Sequence, residues 1–316
     1  MEICIFDRST LCGVEPDLDL EIFKTAGNVR EYDIVPPEKV LATIGNAEAV
    51  ICNKTEITAE ILEKAPNLRY VGVMATGVNN IDLAAAKKRG VTVCNVPGYS
   101  TDAVAQLTFS FLLQFATNLH AYTASTARGD WQKAPAFTYF PYPMQEVCGK
   151  TLGIFGMGSI GKTVARIGAA FGMKILYTAR SKKDLPYEFV SADRLFRESD
   201  FLTFHCPLTE ETRGLICRDN LAKMKKSAFL INTARGGIVN EKDLAEALNS
   251  GVIAGFAADV LDKEPQRSDC PLIGAENCIL TPHIAWAPFE TRKRLLGVLF
   301  RNLVAFQNGT PQNAVV

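Results

Sequence analysis

Short apolar runs alternate with helix-patterned stretches along this chain, in two successive series. Glu2–Phe6, Ala49–Cys52, Tyr70–Val73 and Val91–Cys94 read as strands, and Pro37–Ile44, Thr58–Lys64 and Ile81–Arg89 read as helices between them. Thr58 is placed to cap the second of these helices, and Asn80 or Asp82 the third. After Lys150 the rhythm resumes. Thr151–Phe155, Lys174–Tyr177, Phe201–Phe204, Ala228–Ile231, Ile253–Ala257 and Cys278–Leu280 are strand candidates. Ser159–Phe171, Ser191–Arg197, Asp219–Lys223 and Asn240–Asn249 are helix candidates. A helix between two strands returns the chain to the same edge, so the strands run parallel. Two such series predict an α/β chain with two doubly wound parallel sheets, in two domains.

The 316 residues suffice for two domains, and a 47% hydrophobic content supplies their cores without disulfides or metals. Basic and acidic residues balance at 34 each, which argues against a broad nucleic-acid or membrane-surface footprint. The nine cysteines are scattered, with no CxxC pair and no zinc-like spacing, so no metal site is expected. Cys4, Cys52, Cys94 and Cys206 sit in apolar runs, as small buried hydrophobes do. Free buried thiols fit a reducing, cytoplasmic setting. Met1–Phe6 carries Glu2 and lacks the pattern of a signal peptide, and no apolar stretch reaches membrane-spanning length.

Between the two series runs a long apolar helix, about Thr101 to Tyr122, followed by an aromatic, Pro-rich stretch, Trp131 to Pro143. That is too long for an ordinary connection. It reads as an arm, about residues 99–145, that packs on a second subunit; the plainer reading is a surface excursion. A last helix spans about Phe289 to Gln307.

Gly156-Met157-Gly158-Ser159-Ile160-Gly161 is a GxGxxG that follows one candidate strand and opens a helix. The first Gly permits the tight turn, the second lets backbone approach a pyrophosphate, and the third lets helix and strand pack closely. The helix start then offers free N–H groups to phosphates. The next strand should end in an acid that holds the ribose 2′-hydroxyl of NAD. Thr178 stands there instead, and Arg180, Ser181, Lys182 and Lys183 follow before the first carboxylate, Asp184. Cations and hydroxyls suit a 2′-phosphate, so NADP(H) is expected over NAD(H).

Three histidines exist. His120 reads as a polar surface or interface residue, and His205, in an apolar strand, as a satisfied core histidine. His283 lies in a loop after the strand Cys278–Leu280. Arg235 and Glu264 also follow strands, and strand-end loops at the carboxyl edge of such sheets are where ligands sit. Hydride delivery to a keto acid needs a planar cation for the carboxylate and carbonyl, and an acid for the developing alkoxide. A carboxylate beside that acid would favour imidazolium and hold the ring. Arg235, His283 and Glu264 supply this set, though each alone is as readily structural.

Several stretches, in this order, resemble the D-isomer-specific 2-hydroxyacid dehydrogenase family. They are Ala75–Asp82, Asn95–Ser100, the GxGxxG, His205–Thr209, Asn232–Val239, Glu264-Pro265 and Pro282-His283. The Trp286 form of the His283 loop, with Cys94–Ser100 and Gly129-Asp130-Trp131, looks most like the hydroxypyruvate reductase (glycerate dehydrogenase) branch. The resemblance implies that Arg235 binds the substrate carboxylate, that His283 is proton donor and acceptor, and that Glu264 is its partner. It implies backbone amides at Thr76 and Gly77 on the substrate carboxylate, with Asn53 and Lys54 as further substrate contacts. Thr108, Cys206, Pro207, Thr233, Ala234 and Asp259 would line the nicotinamide side. It implies a Rossmann-type cofactor domain, 98–288, inserted into a flavodoxin-like substrate domain, 1–97 and 289–316, with the substrate in a closing cleft and a homodimer formed through the arm.

The activity so implied is NADPH-dependent reduction of a small 2-keto acid, hydroxypyruvate or glyoxylate in type, to the D-2-hydroxy acid. One alternative is a bulkier keto acid, with Trp286, Phe137 and Phe140 around it. Another is a cofactor-sensing scaffold like the C-terminal binding protein co-repressors; the chain has no long disordered tail to match them.

Overall fold

The computed structural model describes residues 1–13 and 17–316. The chain divides into two units, Met1–Ser100 with Trp286–Val316, and Thr101–Ala285.

The first unit is built on a five-stranded parallel sheet. Its strands are β1 (Glu2–Ile5), β2 (Asn28–Glu31), β3 (Ala49–Cys52), β4 (Tyr70–Val73) and β5 (Thr92–Cys94), in the order β2-β1-β3-β4-β5. β3 and β4 are buried at every residue, which is why they read as unbroken apolar runs: both faces are covered. Helices α1 (Arg8–Cys12), α2 (Pro37–Ile44), α3 (Ala59–Lys64) and α4 (Leu83–Arg89) connect the strands. Thr58 caps α3 by accepting from the Ile61 N–H at 3.3 Å, and Asp82 caps α4 by accepting from Ala85 at 2.9 Å. Asn80 is no cap; its amide donates instead to the Thr55 carbonyl at 2.9 Å. The last helix, α11 (Phe289–Gln307), buries Leu295, Leu299 and Leu303, one turn apart, in the core around Ile3, Ile51 and Tyr70.

One feature of this sheet is electrostatic. Asp7, just beyond β1, is 2% exposed and takes left-handed backbone geometry (φ 58°). Its Oδ2 accepts from the N–H groups of Asn53, Lys54 and Thr55 at 2.9, 2.8 and 2.8 Å, and its Oδ1 from the Thr55 hydroxyl at 3.0 Å. The loop after β3 is thereby fixed to the end of β1.

The second unit opens with α5 (Thr101–Thr117) and α6 (Leu119–Ala127). The expected single helix to Tyr122 is broken at Asn118, whose φ of 50° and ψ of 33° cannot continue a right-handed helix. Its side-chain amide donates to the Pro143 carbonyl at 2.6 Å, which anchors the aromatic arm there. Seven parallel strands follow: β6 (Thr151–Phe155), β7 (Lys174–Thr178), β8 (Glu188–Phe189), β9 (Phe201–Phe204), β10 (Phe229–Asn232), β11 (Gly255–Ala258) and β12 (Cys278–Leu280). Their order is β12-β11-β10-β9-β6-β7-β8, so the winding reverses between β6 and β9. The helices are α7 (Ser159–Ala170), α8 (Ala192–Glu198), α9 (Arg218–Leu221) and α10 (Glu241–Asn249). One core lies between this sheet and α8–α10, and another, with Phe109, Phe115, Ile154 and Val164, packs α5 and α7 on the opposite face. Two doubly wound parallel sheets are present, as the alternating pattern predicts. Strands β2 and β8, which that pattern lacks, are edge strands with no fully buried residue, at the outside of their sheets.

Candidate active site

The fingerprint turn sits where the winding of the seven-stranded sheet reverses. Gly156 adopts φ 102°, and a Cβ there would lie 2.7 Å from the backbone of His205. A Cβ at Gly161 would overlap the Gly156 carbonyl. At Gly158 nothing would meet a Cβ within 4 Å, and no side chain caps α7, which starts there. Two glycines are thus required by packing, and the middle one leaves an open approach to uncapped helix N–H groups. That cradle fits a dinucleotide pyrophosphate.

At the end of β7, Thr178 is buried, while Arg180, Ser181, Lys182 and Lys183 beyond it are exposed. Lys183 donates to the Ser181 hydroxyl at 3.2 Å. No ion pair involves Arg180 or Lys182 among the described residues. On the far side of the fingerprint, Thr108 on α5 is fully buried and its hydroxyl lies 3.1 Å from that of Thr233. Burial pushes the Cys206 thiol up to about 11, so it is neutral, and the Thr212 hydroxyl donates to the Pro207 carbonyl at 2.8 Å.

Arg235 follows β10. Asn232, fully buried, shapes its loop: the Asn232 amide donates to the Arg235 carbonyl at 2.9 Å and its oxygen accepts from Ala234 N–H at 3.0 Å. Gly236 is obligatory, because a Cβ there would overlap the Leu261 backbone. Among the described residues the exposed Arg235 guanidinium donates only to the Ala234 carbonyl, at 2.7 Å.

The next two strands bring Glu264 and His283 together. Glu264 Oε2 lies 2.6 Å from His283 Nδ1, and its Oε1 accepts from the Leu261 N–H at 2.9 Å. Nε2 of His283 has no partner among the described residues. The two side chains are each about one third exposed, at 32% and 33%. His283 sits in left-handed backbone geometry, φ 56°. Asp259, 1% exposed, holds that loop: it accepts from the Thr281 hydroxyl at 2.6 Å and from the N–H groups of Ile284 and Ala285 at 2.8 Å. The loop-shaping role of Asp259 is invisible in sequence, since its partners lie 22 to 26 residues downstream; that of Asn232 is local, to residues 234 and 235, and the sequence reading misses it.

His205 corrects an expectation. Both of its ring nitrogens are buried with no hydrogen-bond partner among the described residues, so it is not a satisfied core histidine there. Burial lowers its pKa to about 3, which keeps it neutral and removes it as a proton donor. The unfolded chain binds this proton near pH 6.5 and the folded one refuses it. Stability should therefore fall as pH drops from about 6.5 towards 3, by about 1.4 kcal/mol per pH unit from this group. Urea unfolding at two pH values, with and without His205→Leu, checks this; equal slopes in both proteins would rule it out.

In the first unit, Thr76 is exposed at the turn after β4 and its hydroxyl donates to the Val96 carbonyl at 2.9 Å. Among the described residues no cluster of His, Cys, Asp or Glu could hold a metal, and no helix is long and apolar enough to cross a membrane.

Comparison with known proteins places this geometry. A family model described as D-isomer specific 2-hydroxyacid dehydrogenase, NAD binding domain, matches residues 109–285. The hydroxypyruvate reductase of Blautia hydrogenotrophica is 40% identical, covering 100% of this chain and 99% of the relative. The glycerate dehydrogenase of Methylorubrum extorquens is 37% identical, covering 99% and 98%. Among solved structures, an acyclic imino acid reductase (Bsp5) in complex with NADPH and D-Arg has a TM-score of 0.87 at 29% identity, with 100% of both chains covered. Fold and site define a nicotinamide-dependent dehydrogenase. The chain belongs to the D-isomer specific 2-hydroxyacid dehydrogenase family, and its likeness to the hydroxypyruvate reductase branch holds.

Proposed function

We propose that the chain reduces a small 2-keto acid of the hydroxypyruvate or glyoxylate type to the D-2-hydroxy acid, with NADPH as the preferred cofactor. The observation that carries this is the Glu264–His283 pair, 2.6 Å apart, at the carboxyl edge of a sheet whose fingerprint cradle is open. The nicotinamide cofactor, when bound, supplies the hydride. Arg235 holds the substrate carboxylate and polarises the carbonyl. His283 delivers a proton from Nε2 to the developing alkoxide. Glu264 fixes the ring through Nδ1 and stabilises its protonated form. Asp259 keeps the His283 loop in its left-handed turn. Thr76 and Gly77 are assigned the substrate carboxylate through their backbone amides, and Asn53 and Lys54 are secondary contacts. Thr108, Cys206, Pro207, Thr233, Ala234 and Asp259 are assigned to the nicotinamide side of the cofactor.

Arg180, Ser181 and Lys182 are assigned the 2′-phosphate. Their support is the missing strand-end carboxylate and, among the described residues, the absence of any ion pair that would occupy the two cations. The names of the two relatives favour the small substrate. Trp131, Phe137, Phe140 and Met144 are 52, 87, 73 and 60% exposed, and we assign them to a homodimer contact. The nine free thiols suit a cytoplasmic enzyme.

The test is turnover of NADPH and NADH with glyoxylate, hydroxypyruvate, and branched and aromatic 2-keto acids. Activity confined to bulky acids would move the substrate, and none at all, with tight cofactor binding, would favour the scaffold. Replacing Arg180 and Lys182 by Ala should lower kcat/KM for NADPH by about 10- to 100-fold, the worth of one or two charge-assisted bonds, and leave NADH unaffected. Equal losses with both cofactors would refute the assignment.

A further inference from the structure

Asn302 stands in the apolar stripe of α11, between Leu299 and Leu303, and is 1% exposed. A buried amide in such a stripe is costly unless fully bonded. Its Nδ2 donates to the Asn95 carbonyl at 2.9 Å, and its Oδ1 accepts from Asn313 Nδ2 at 2.9 Å. Asn95 is the hub of this network. Its own N–H donates to the Asn313 carbonyl at 3.2 Å, so both backbone groups of Asn95 are engaged. Asn313 in turn holds left-handed geometry (φ 54°) beside the antiparallel bridge between Cys94 and Ala314. The one group of Asn95 left over is its side-chain amide, and it donates to the Thr76 carbonyl at 2.7 Å.

That last bond has a directional consequence. The carbonyl of Thr76 and the N–H of Gly77 belong to one planar peptide and, in a trans bond, point to opposite sides. Pinning the oxygen therefore aims the Gly77 N–H away from Asn95. A donor on the carbonyl also polarises the peptide and strengthens its N–H as a donor. Two further bonds keep the turn from rotating: Thr76 hydroxyl to Val96 carbonyl at 2.9 Å, and Val96 N–H to Ala75 carbonyl at 2.9 Å.

We propose that Asn95, clamped by Asn302 and Asn313, is a positioning residue that aims the Gly77 amide at the substrate carboxylate. The proposal rests on the 2-keto acid reading above and adds the device that orients one of its binding groups. Asn95 touches no reacting atom; it acts through the Thr76–Gly77 peptide.

Asn95→Ala deletes only the bond to Thr76 and keeps both backbone bonds of residue 95. The expected result is a KM for the keto acid raised about tenfold, the size of one lost charge-assisted bond, with the cofactor KM within about twofold. Asn302→Leu should raise the keto-acid KM less, and the double variant should be no worse than Asn95→Ala alone, because both changes act through one bond. Parallel changes in keto-acid KM, cofactor KM and melting temperature would mean a merely structural role and would overturn the proposal. So would an unchanged keto-acid KM. The backbone amide resonance of Gly77, compared between parent and Asn95→Ala, reads the peptide without any turnover. If the parent reduces no keto acid, the functional reading fails; if the Gly77 resonance does not move, the positioning role fails independently.

Discussion

His283→Asn should lower kcat/KM for keto-acid reduction by about 10³-fold, within the usual range for loss of a positioned general acid. Asn can occupy the left-handed backbone position of His283 (φ 56°), since Asn tolerates that region better than most residues. The loop held by Asp259 should therefore survive, and the loss should report chemistry rather than folding. Cofactor affinity should be unchanged. Glu264→Gln should fall between parent and His283→Asn, because a Gln oxygen can still accept from Nδ1 at the 2.6 Å contact but brings no charge. Steady-state rates with the best keto acid of the panel, and cofactor titration, measure both. Activity of His283→Asn within tenfold of the parent would remove His283 from its role.

Arg235→Lys should cost about 10²- to 10³-fold in kcat/KM, although the charge is kept. A guanidinium presents a rigid fork to a carboxylate and carbonyl, whereas an ammonium is a compact point donor on a flexible stem. The loop should not respond to the exchange, for its shape comes from Asn232 and from the absence of a Cβ at Gly236. Most of the loss should appear in kcat, with the remainder in the keto-acid KM, if carbonyl polarisation in the transition state dominates. Full activity in Arg235→Lys would show that a plain positive charge is enough and that no fork is used.

How far the sequence speaks for this molecule depends on how local each cause is. The buried strands β3 and β4 and the fingerprint at Gly156–Gly161 are written in consecutive residues, so periodicity and glycine spacing find them. β2 is an edge strand, Asn28–Glu31, with no fully buried residue, and a pattern built on apolar runs passes over it. The break at Asn118 is hidden because Leu119–Tyr122 continues to read as helix; the cause is a carbonyl at Pro143, 25 residues away. The same holds at the site. His283 and Glu264 are recognisable by type and by their place after strands. The Asp259 clamp needs N–H groups 25 and 26 residues downstream, and the unsatisfied state of His205 can be known only from what surrounds it.

Both sheets wind in ways that leave a crevice at the carboxyl ends of their strands, between β1 and β3 in one and β6 and β9 in the other. In the second, the Gly156 N–H is bonded to the Thr178 carbonyl at 2.9 Å, and no side chain caps the start of α7. In the first, the Asp7 carboxylate already occupies the amides of Asn53, Lys54 and Thr55. The chain thus fills the amides of one of its two strand-end loops with a side chain of its own. A ligand seeking those amides would have to displace a tethered carboxylate, whereas no side chain stands in the way at the start of α7.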